Sequence, residues 1–369
     1  MKVFSKAKLF LRNGLRVSHV VASRQLGLRP RYLPIMLMFV TDRCNLRCKM
    51  CGVCELENSR AHEQELTTDE WKAVIDSAAR LGVMIISISG GEPLLRRDVY
   101  ELIAHAKSKG ITVHMCTNGI LINADRAQKL RESGVSTVSI SVEGTDAAVH
   151  DRLRGAGTHA PALAAIRLLR ETAPEIRIGI NYLITRQNFR NMADMVAFAE
   201  GLGVDQLKFA PIHTNLLHRR KRIEEYNELL FSREDLEELE GELKKLGAAC
   251  ENTRLLTTST TFFSGIASLY SEPRRFKCYA GYAAIAVNPT GGVAPCCDIE
   301  GGLNVRTEPL ERIWRGAEFH KLRNRVRHCG ASCWDTTNTE LSLRLRPAGL
   351  LGELARNLRD LNFYFGGGN

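Results

Sequence analysis

The chain predicts an α/β fold, a partial (β/α)6 barrel of parallel strands followed by a small cysteine-bearing domain. Two observations carry this. From residue 35 to about residue 212, short β-rich runs alternate with helical runs through short connections, a pattern that requires right-handed βαβ crossovers and a parallel sheet. Beyond residue 278 the helical periodicity gives way to short strands, turns and cysteines. Six repeats are too few for a closed eight-stranded barrel but fit an incomplete, curved one.

The 369 residues carry 44% hydrophobic and 25% charged side chains, an ordinary balance for one large core plus a smaller second domain. No apolar run approaches the roughly 20 residues that a membrane-spanning helix needs, and a secretory signal pattern is not apparent. Eleven cysteines at clustered spacings argue for metal in a reducing, cytoplasmic setting rather than for scattered disulfides.

The net charge of +10 is concentrated at the start. Residues 1–34 hold Lys2, Lys6, Lys8, Arg12, Arg16, Arg24, Arg29 and Arg31 and no acid, interleaved with Val3, Phe4, Leu9, Phe10, Val17, Val20 and Val21. A basic amphipathic helix of this kind suits peripheral contact with an anionic inner membrane face; packing against the core or against an acidic partner remains the alternative.

The first strand is the apolar run Ile35 to Val40, and the loop leaving it reads TDRCNLRCKMCGVC, with Cys44, Cys48 and Cys51 at C-x3-C-x2-C spacing. Three thiolates so close can hold one iron–sulfur cluster and leave one iron open; the spacing alone also allows structural zinc. Thr67 to Trp71 is a helix start, with hydroxyl caps followed by acids. Val83–Ser89 is the second strand and runs into Gly90-Gly91-Glu92-Pro93. A helix from Asp98 to Lys109 stops at Gly110, and a third strand, Ile111–Cys116, leads to Thr117-Asn118-Gly119. A helix around Ala124–Glu132 precedes strand Ser136–Val142, which ends at Glu143-Gly144. Helix Pro161–Thr172, strand Ile176–Ile184, helix Met192–Glu200 and strand Gln206–Ala210 complete the repeat. Ligands of such sheets gather at the strands' carboxyl ends, where these loops lie.

Residues 213–270 read as a bridging segment, with a basic run at Arg219–Arg222 and a charged helix over Arg233–Leu246; residues 271–340 form the cysteine-bearing domain, and 341–369 an amphipathic C-terminal helix ending in Phe363, Tyr364 and Phe365.

Cys44-x3-Cys48-x2-Cys51 followed by GGEP resembles the radical S-adenosylmethionine (SAM) superfamily. The resemblance covers roughly residues 35–212 and implies a SAM-binding [4Fe–4S] cluster on Cys44, Cys48 and Cys51. It also implies SAM held at the open iron, reductive cleavage to a 5′-deoxyadenosyl radical, and hydrogen-atom abstraction from a substrate. By position it assigns Glu92 with the backbone of Gly90 and Gly91 to the ammonium of the methionine moiety. Met50 goes to adenine, Ser141 to ribose, and Arg152, in the segment His150 to Gly155, to the carboxylate. Asn181, Thr117 and Asn118 are further candidates. Cys54 makes a second close pair with Cys51 but has no role in the family pattern.

Cys278-x12-Gly291-x4-Cys296, followed by Cys329-x3-Cys333, resembles the SPASM/twitch extensions of this superfamily. The full seven-cysteine set is absent, so the resemblance implies one auxiliary [4Fe–4S] cluster on Cys278, Cys296, Cys329 and Cys333, closed to substrate and suited to electron transfer; Cys297 is an extra thiol. A zinc ribbon is the alternative. Cys116 and Cys250 read as buried small apolar residues.

The implied function is radical SAM oxidation, cross-linking, epimerisation or a related modification of a small-molecule, peptide or lipid-linked substrate, with an electron donor such as flavodoxin or ferredoxin. Maturation of a ribosomal peptide is one alternative, although residues 1–34 are too short for a separate peptide-recognition domain. Sugar, nucleoside or lipid modification is another. RNA modification is disfavoured by the confinement of basic charge to an end and a loop, and a non-catalytic electron carrier by the presence of GGEP, Ser141 and Arg152.

Overall fold

The computed structural model describes residues 2–53, 65–212, 228–270, 276–331, 333–346, 359–360 and 363–364. Cys54, the Arg219–Arg222 run and most of the 341–369 segment lie outside the described residues.

A 25-residue helix, α1 (Lys2–Leu26), precedes the barrel. Six parallel strands follow: β1 (Ile35–Phe39), β2 (Ile85–Ser89), β3 (Thr112–Thr117), β4 (Thr137–Ser141), β5 (Arg177–Ile184) and β6 (Gln206–Pro211). They stand side by side in chain order, as in a barrel wound in one direction. Between them run α2 (Thr68–Arg80), α3 (Val99–Ser108), α4 (Ala124–Ser133), α5 (Ala147–Arg154), α6 (His159–Thr172) and α7 (Asp194–Gly201). The sequence signals operate as physical chemistry dictates. Thr67 and Glu70 close a capping box on α2, whose Trp71, Val74, Ile75 and Ala78 are buried, and α4 ends at Gly134 in the left-handed conformation.

Each strand divides its residues between two interiors. On β1, Met36 and Met38 are fully buried under the helices, whereas Ile35, Leu37 and Phe39 line a central cavity. The outward row repeats this with Ile86, Val113, Val138, Ile180 and Leu207, all fully buried. The inward row is more polar: Ser87, His114, Asn181 and Lys208.

The sheet does not stop at six strands. After α8 (Arg233–Glu251), β7 (Leu256–Thr257) adds parallel to β6, and α9 (Thr260–Ser264) follows. On the opposite edge β8 (Ala284–Val287) pairs parallel with β1, and β9 (Gly292–Ala294) and β10 (Leu303–Asn304) extend it as an antiparallel meander. The described residues thus form a ten-stranded sheet. The cysteine-bearing segment continues the barrel sheet on the β1 side, beside the strand that launches the first cysteine loop. It is completed by α10 (Leu310–Arg315), α11 (Ala317–Arg327) and α12 (Asn338–Arg344).

The second half of the N-terminal helix is docked. Val20 packs with Tyr279, Tyr282, Ala283 and Leu345. Arg16 donates to Gly82 O, Arg24 to Cys278 O and, from the segment after the helix, Arg29 to Arg315 O. Among the described residues no helix is long and apolar enough to cross a membrane.

Candidate active site

The cysteine loop is stitched to its neighbours through the backbone. Gly91 N donates to Thr41 O at 2.7 Å, Glu92 N to Arg43 O at 2.8 Å and Lys49 N to Leu153 O at 2.9 Å. This approach explains the paired glycines. A Cβ on Gly90 would sit 2.3 Å from Thr41 O, and one on Gly91 2.1 Å from Arg43 O; Gly90 also has φ of 133°. A hydroxyl and a carboxylate finish the turn, with Asp42 N and Thr41 Oγ1 both donating to Glu65 Oε1.

Cys44, Cys48 and Cys51 all face one cavity of about 680 Å³ that runs from the strands' carboxyl ends down through the barrel. None of the three is in a disulfide. Burial pushes the Cys44 thiol up to about 11 and raises that of Cys48. Buried thiols of this kind make poor free nucleophiles and become thiolates when a metal replaces the proton. The donor set therefore fits an iron–sulfur cluster, with three thiols from one loop opening onto a space sized for a further ligand.

Met50, Gly90, Gly91, Ser141, Thr117, Asn118 and Asn181 line the same cavity. Two expected positions depart from this set. Glu92 is fully buried and does not line the cavity; its carboxylate accepts from Leu94 N at 3.1 Å, Thr117 Oγ1 at 2.8 Å and Asn118 N at 2.9 Å. Here it ties the GGEP turn to the Thr117–Gly119 turn. Arg152 is exposed on α5. Arg154 lies in the cavity instead, its Nη1 3.8 Å from Cys48 Sγ.

Arg154 is paired with Glu143, a residue to which the sequence reading gave no role. Glu143 Oε1 accepts from Arg154 Nε at 2.9 Å and Nη2 at 2.6 Å, while Oε2 accepts from Leu183 N at 2.6 Å. Burial opposes the guanidinium's charge, but the Glu143 carboxylate and the sulfurs of Cys48 and Cys51 outweigh it and raise its pKa. His150 Nδ1 accepts from Glu143 N at 3.1 Å. Burial, with the charge of Arg154, holds this imidazole neutral with a pKa of about 3.

Deeper in the barrel His114 bridges Ser139 Oγ, at 2.8 Å, and Ser87 Oγ, at 3.3 Å; burial and the charge of Lys208 hold it neutral. Cys116, read from the sequence as simple core, lines the cavity and accepts from Asn181 Nδ2 at 3.5 Å. Cys250 is buried in the core as read. Lys208 Nζ donates to Tyr364 OH at 3.0 Å. Among the described residues every cavity carboxylate already has a cation: Glu143 has Arg154, and Glu340 and Asp360 share Arg344. Among the described residues none pairs with Lys208.

Of the second cysteine set, Cys278 is buried, and Cys278, Cys296 and Cys333 lie within electrostatic reach of one another. Burial raises the thiols of Cys296 and Cys333. Cys329 accepts from Ala331 N at 3.4 Å, and Cys297 adjoins Cys296. Cys278, Cys296 and Cys333 thus come near one another from separate elements, and thiols are the donors that an iron–sulfur cluster takes.

Residues 38–199 match the profile of the radical SAM superfamily and residues 278–335 that of an iron-sulfur cluster-binding domain, SPASM. The PqqA peptide cyclase of Rhodopseudomonas palustris is 32% identical over 299 residues, covering 78% of this chain and 75% of that protein. This chain belongs to the radical SAM superfamily. A second relative, the AdoMet-dependent heme synthase of Nitratidesulfovibrio vulgaris, is 32% identical over 312 residues, covering 79% of this radical SAM chain and 81% of the synthase. Streptococcus suis SuiB bound to precursor peptide SuiA shares the fold, with a TM-score of 0.62 at 18% identity over 82% of this chain and 69% of that one. The radical SAM enzyme described here uses SAM and [4Fe–4S] clusters, which supply reductive cleavage of the sulfonium and hydrogen-atom abstraction from the substrate.

Proposed function

We propose that this radical SAM enzyme modifies a peptide side chain seated in the barrel cavity. In this reading Cys44, Cys48 and Cys51 hold the SAM cluster. Met50, Ser141 and the backbone at Gly90 and Gly91 hold SAM, with Arg154 in place of Arg152 at its carboxylate and Glu92 ordering the two turns beneath it. Cys278, Cys296, Cys329 and Cys333 hold the auxiliary cluster, and a flavodoxin- or ferredoxin-type donor supplies electrons. The observation that carries the reading is the shared cavity: the three thiols, the glycine turn, Ser141 and Arg154 open onto one space. Its volume suits a nucleoside cofactor with a side-chain-sized group, not a whole folded partner. The peptide cyclase relatives and the peptide-bound SuiB fold support the substrate class.

A carboxylated tetrapyrrole is the second reading. The heme synthase is as similar as the cyclase, and Lys208 offers a cation to an incoming carboxylate. The test is to incubate the reduced, reconstituted enzyme with SAM and either a PqqA peptide or a carboxylated iron porphyrin, followed by mass spectrometry. Loss of hydrogen from the peptide supports the first reading; a changed porphyrin and an unchanged peptide replace it with the second.

A further inference from the structure

Arg24 lies near the end of α1 and is 5% exposed. Its Nε donates to the carbonyl oxygen of Cys278 at 2.8 Å, and its guanidinium lies 5.4 Å from the ring centre of Tyr282. The contact is part of a fixed seam. Gln25 donates to Tyr279 OH at 3.4 Å and accepts from Lys277 Nζ at 3.0 Å, and Tyr279 N donates to Ser342 Oγ at 3.0 Å. Val20 closes the apolar side of the seam. Among the described residues no carboxylate pairs with Arg24.

A guanidinium taken out of water costs several kcal/mol unless an anion faces it. The anion this position offers is the auxiliary cluster. A [4Fe–4S] core with four thiolates is net negative, and one-electron reduction makes it more so. A fixed cation beside one ligand stabilises the reduced form more than the oxidised form and raises the reduction potential.

We propose that Arg24 is a positioning residue for the auxiliary cluster. It supplies the buried counter-charge that sets the cluster's potential and locks the N-terminal helix to the segment of Cys278. The proposal rests on the assignment of Cys278 as a cluster ligand. It gives the C-terminal end of the N-terminal helix a part in tuning electron transfer.

The test is an EPR-monitored reductive titration with dithionite of the full-length, anaerobically reconstituted protein, with iron counts, for wild type, Arg24→Gln, Arg24→Met and Arg24→Lys. The two neutral variants should shift the auxiliary cluster's reduction equilibrium at least tenfold toward the oxidised form, ~59 mV for a one-electron couple. The SAM cluster, as internal control, should not move, and Arg24→Lys should recover most of the shift. An unchanged auxiliary midpoint in the neutral variants overturns the proposal. Should both neutral variants lose the auxiliary iron, retention in Arg24→Lys supports the charge requirement and loss there too overturns it. A separate control addresses the assignment beneath: if Cys278→Ala keeps the full wild-type iron content, the ligand reading falls and the proposal falls with it.

Discussion

Replacing Arg154 by Met leaves Glu143, whose side chain has no solvent exposure, without its cation. Two of the three bonds to that carboxylate come from Arg154, and only the Leu183 N–H remains. Breaking a buried pair from one side typically costs about 3–5 kcal/mol. The retained N–H and the volume-filling Met place the expected loss near the lower end, about 3 kcal/mol. Glu143 would respond by holding its proton. Burial already raises its pKa, and Arg154 is the main force pulling it down. A carboxyl whose folded pKa stands above its unfolded one gives stability below the unfolded value that is lost as pH rises through the folded value. The deficit of Arg154→Met against wild type should therefore be largest at pH 8 and shrink toward pH 5. Urea unfolding of the reconstituted protein, followed by tryptophan fluorescence at both pH values, measures this. A deficit below about 1 kcal/mol at pH 8, the range of an exposed ion pair, would refute the argument that this pair is buried and coupled. So would a deficit that grows on acidification.

Three further outcomes are expected. Gly90→Ala puts a methyl group against Thr41 O at a positive φ, so the SAM-site iron should be lost while the auxiliary iron stays, as read by iron counts and EPR. Glu92→Gln places an amide N–H where only donors face it. It should cost about 1–3 kcal/mol and weaken SAM binding at least fivefold in equilibrium dialysis, although Glu92 does not line the cavity. His150 is neutral in the fold, with a pKa near 3, against an ordinary value near 6.5 when unfolded. The stability it contributes is present above pH 6.5 and is lost as pH falls toward 3, so His150→Asn should lose less stability than wild type between pH 6.5 and 4 in thermal melts.

The barrel was legible because its signals are local. Apolar runs, capping residues and glycine stops each act within one turn or strand, and the C-x3-C-x2-C loop and GGEP fall at strand ends whose alignment follows from the crossover rule. What escaped depended on rotation or distance. Arg152 and Arg154 are two residues apart on one helix and so point about 200° apart. Only the packing of α5 against the cysteine loop decides between them. Glu143 gave a signal, a carboxylate just past an apolar-rich strand, but its partner lay eleven residues on. The pairing of β8 with β1 joins residues about 250 positions apart in parallel, with no hairpin turn to announce it. The amphipathic pattern of α1 was plain. Its contact with the second cysteine segment was not, because apolar and basic residues suit a lipid surface and a protein seam equally well.

The central claim is that one cysteine loop builds a SAM-cleaving site while a second set holds a separate cluster. Iron and sulfide counts, together with 5′-deoxyadenosine release under dithionite, test it directly on wild type and on the combined Cys44→Ala, Cys48→Ala, Cys51→Ala variant. Wild type should hold about eight irons, four per cluster, and release 5′-deoxyadenosine; the variant should keep about four and release none. A wild type with both clusters that forms no 5′-deoxyadenosine, or a triple variant that still does, would contradict the account.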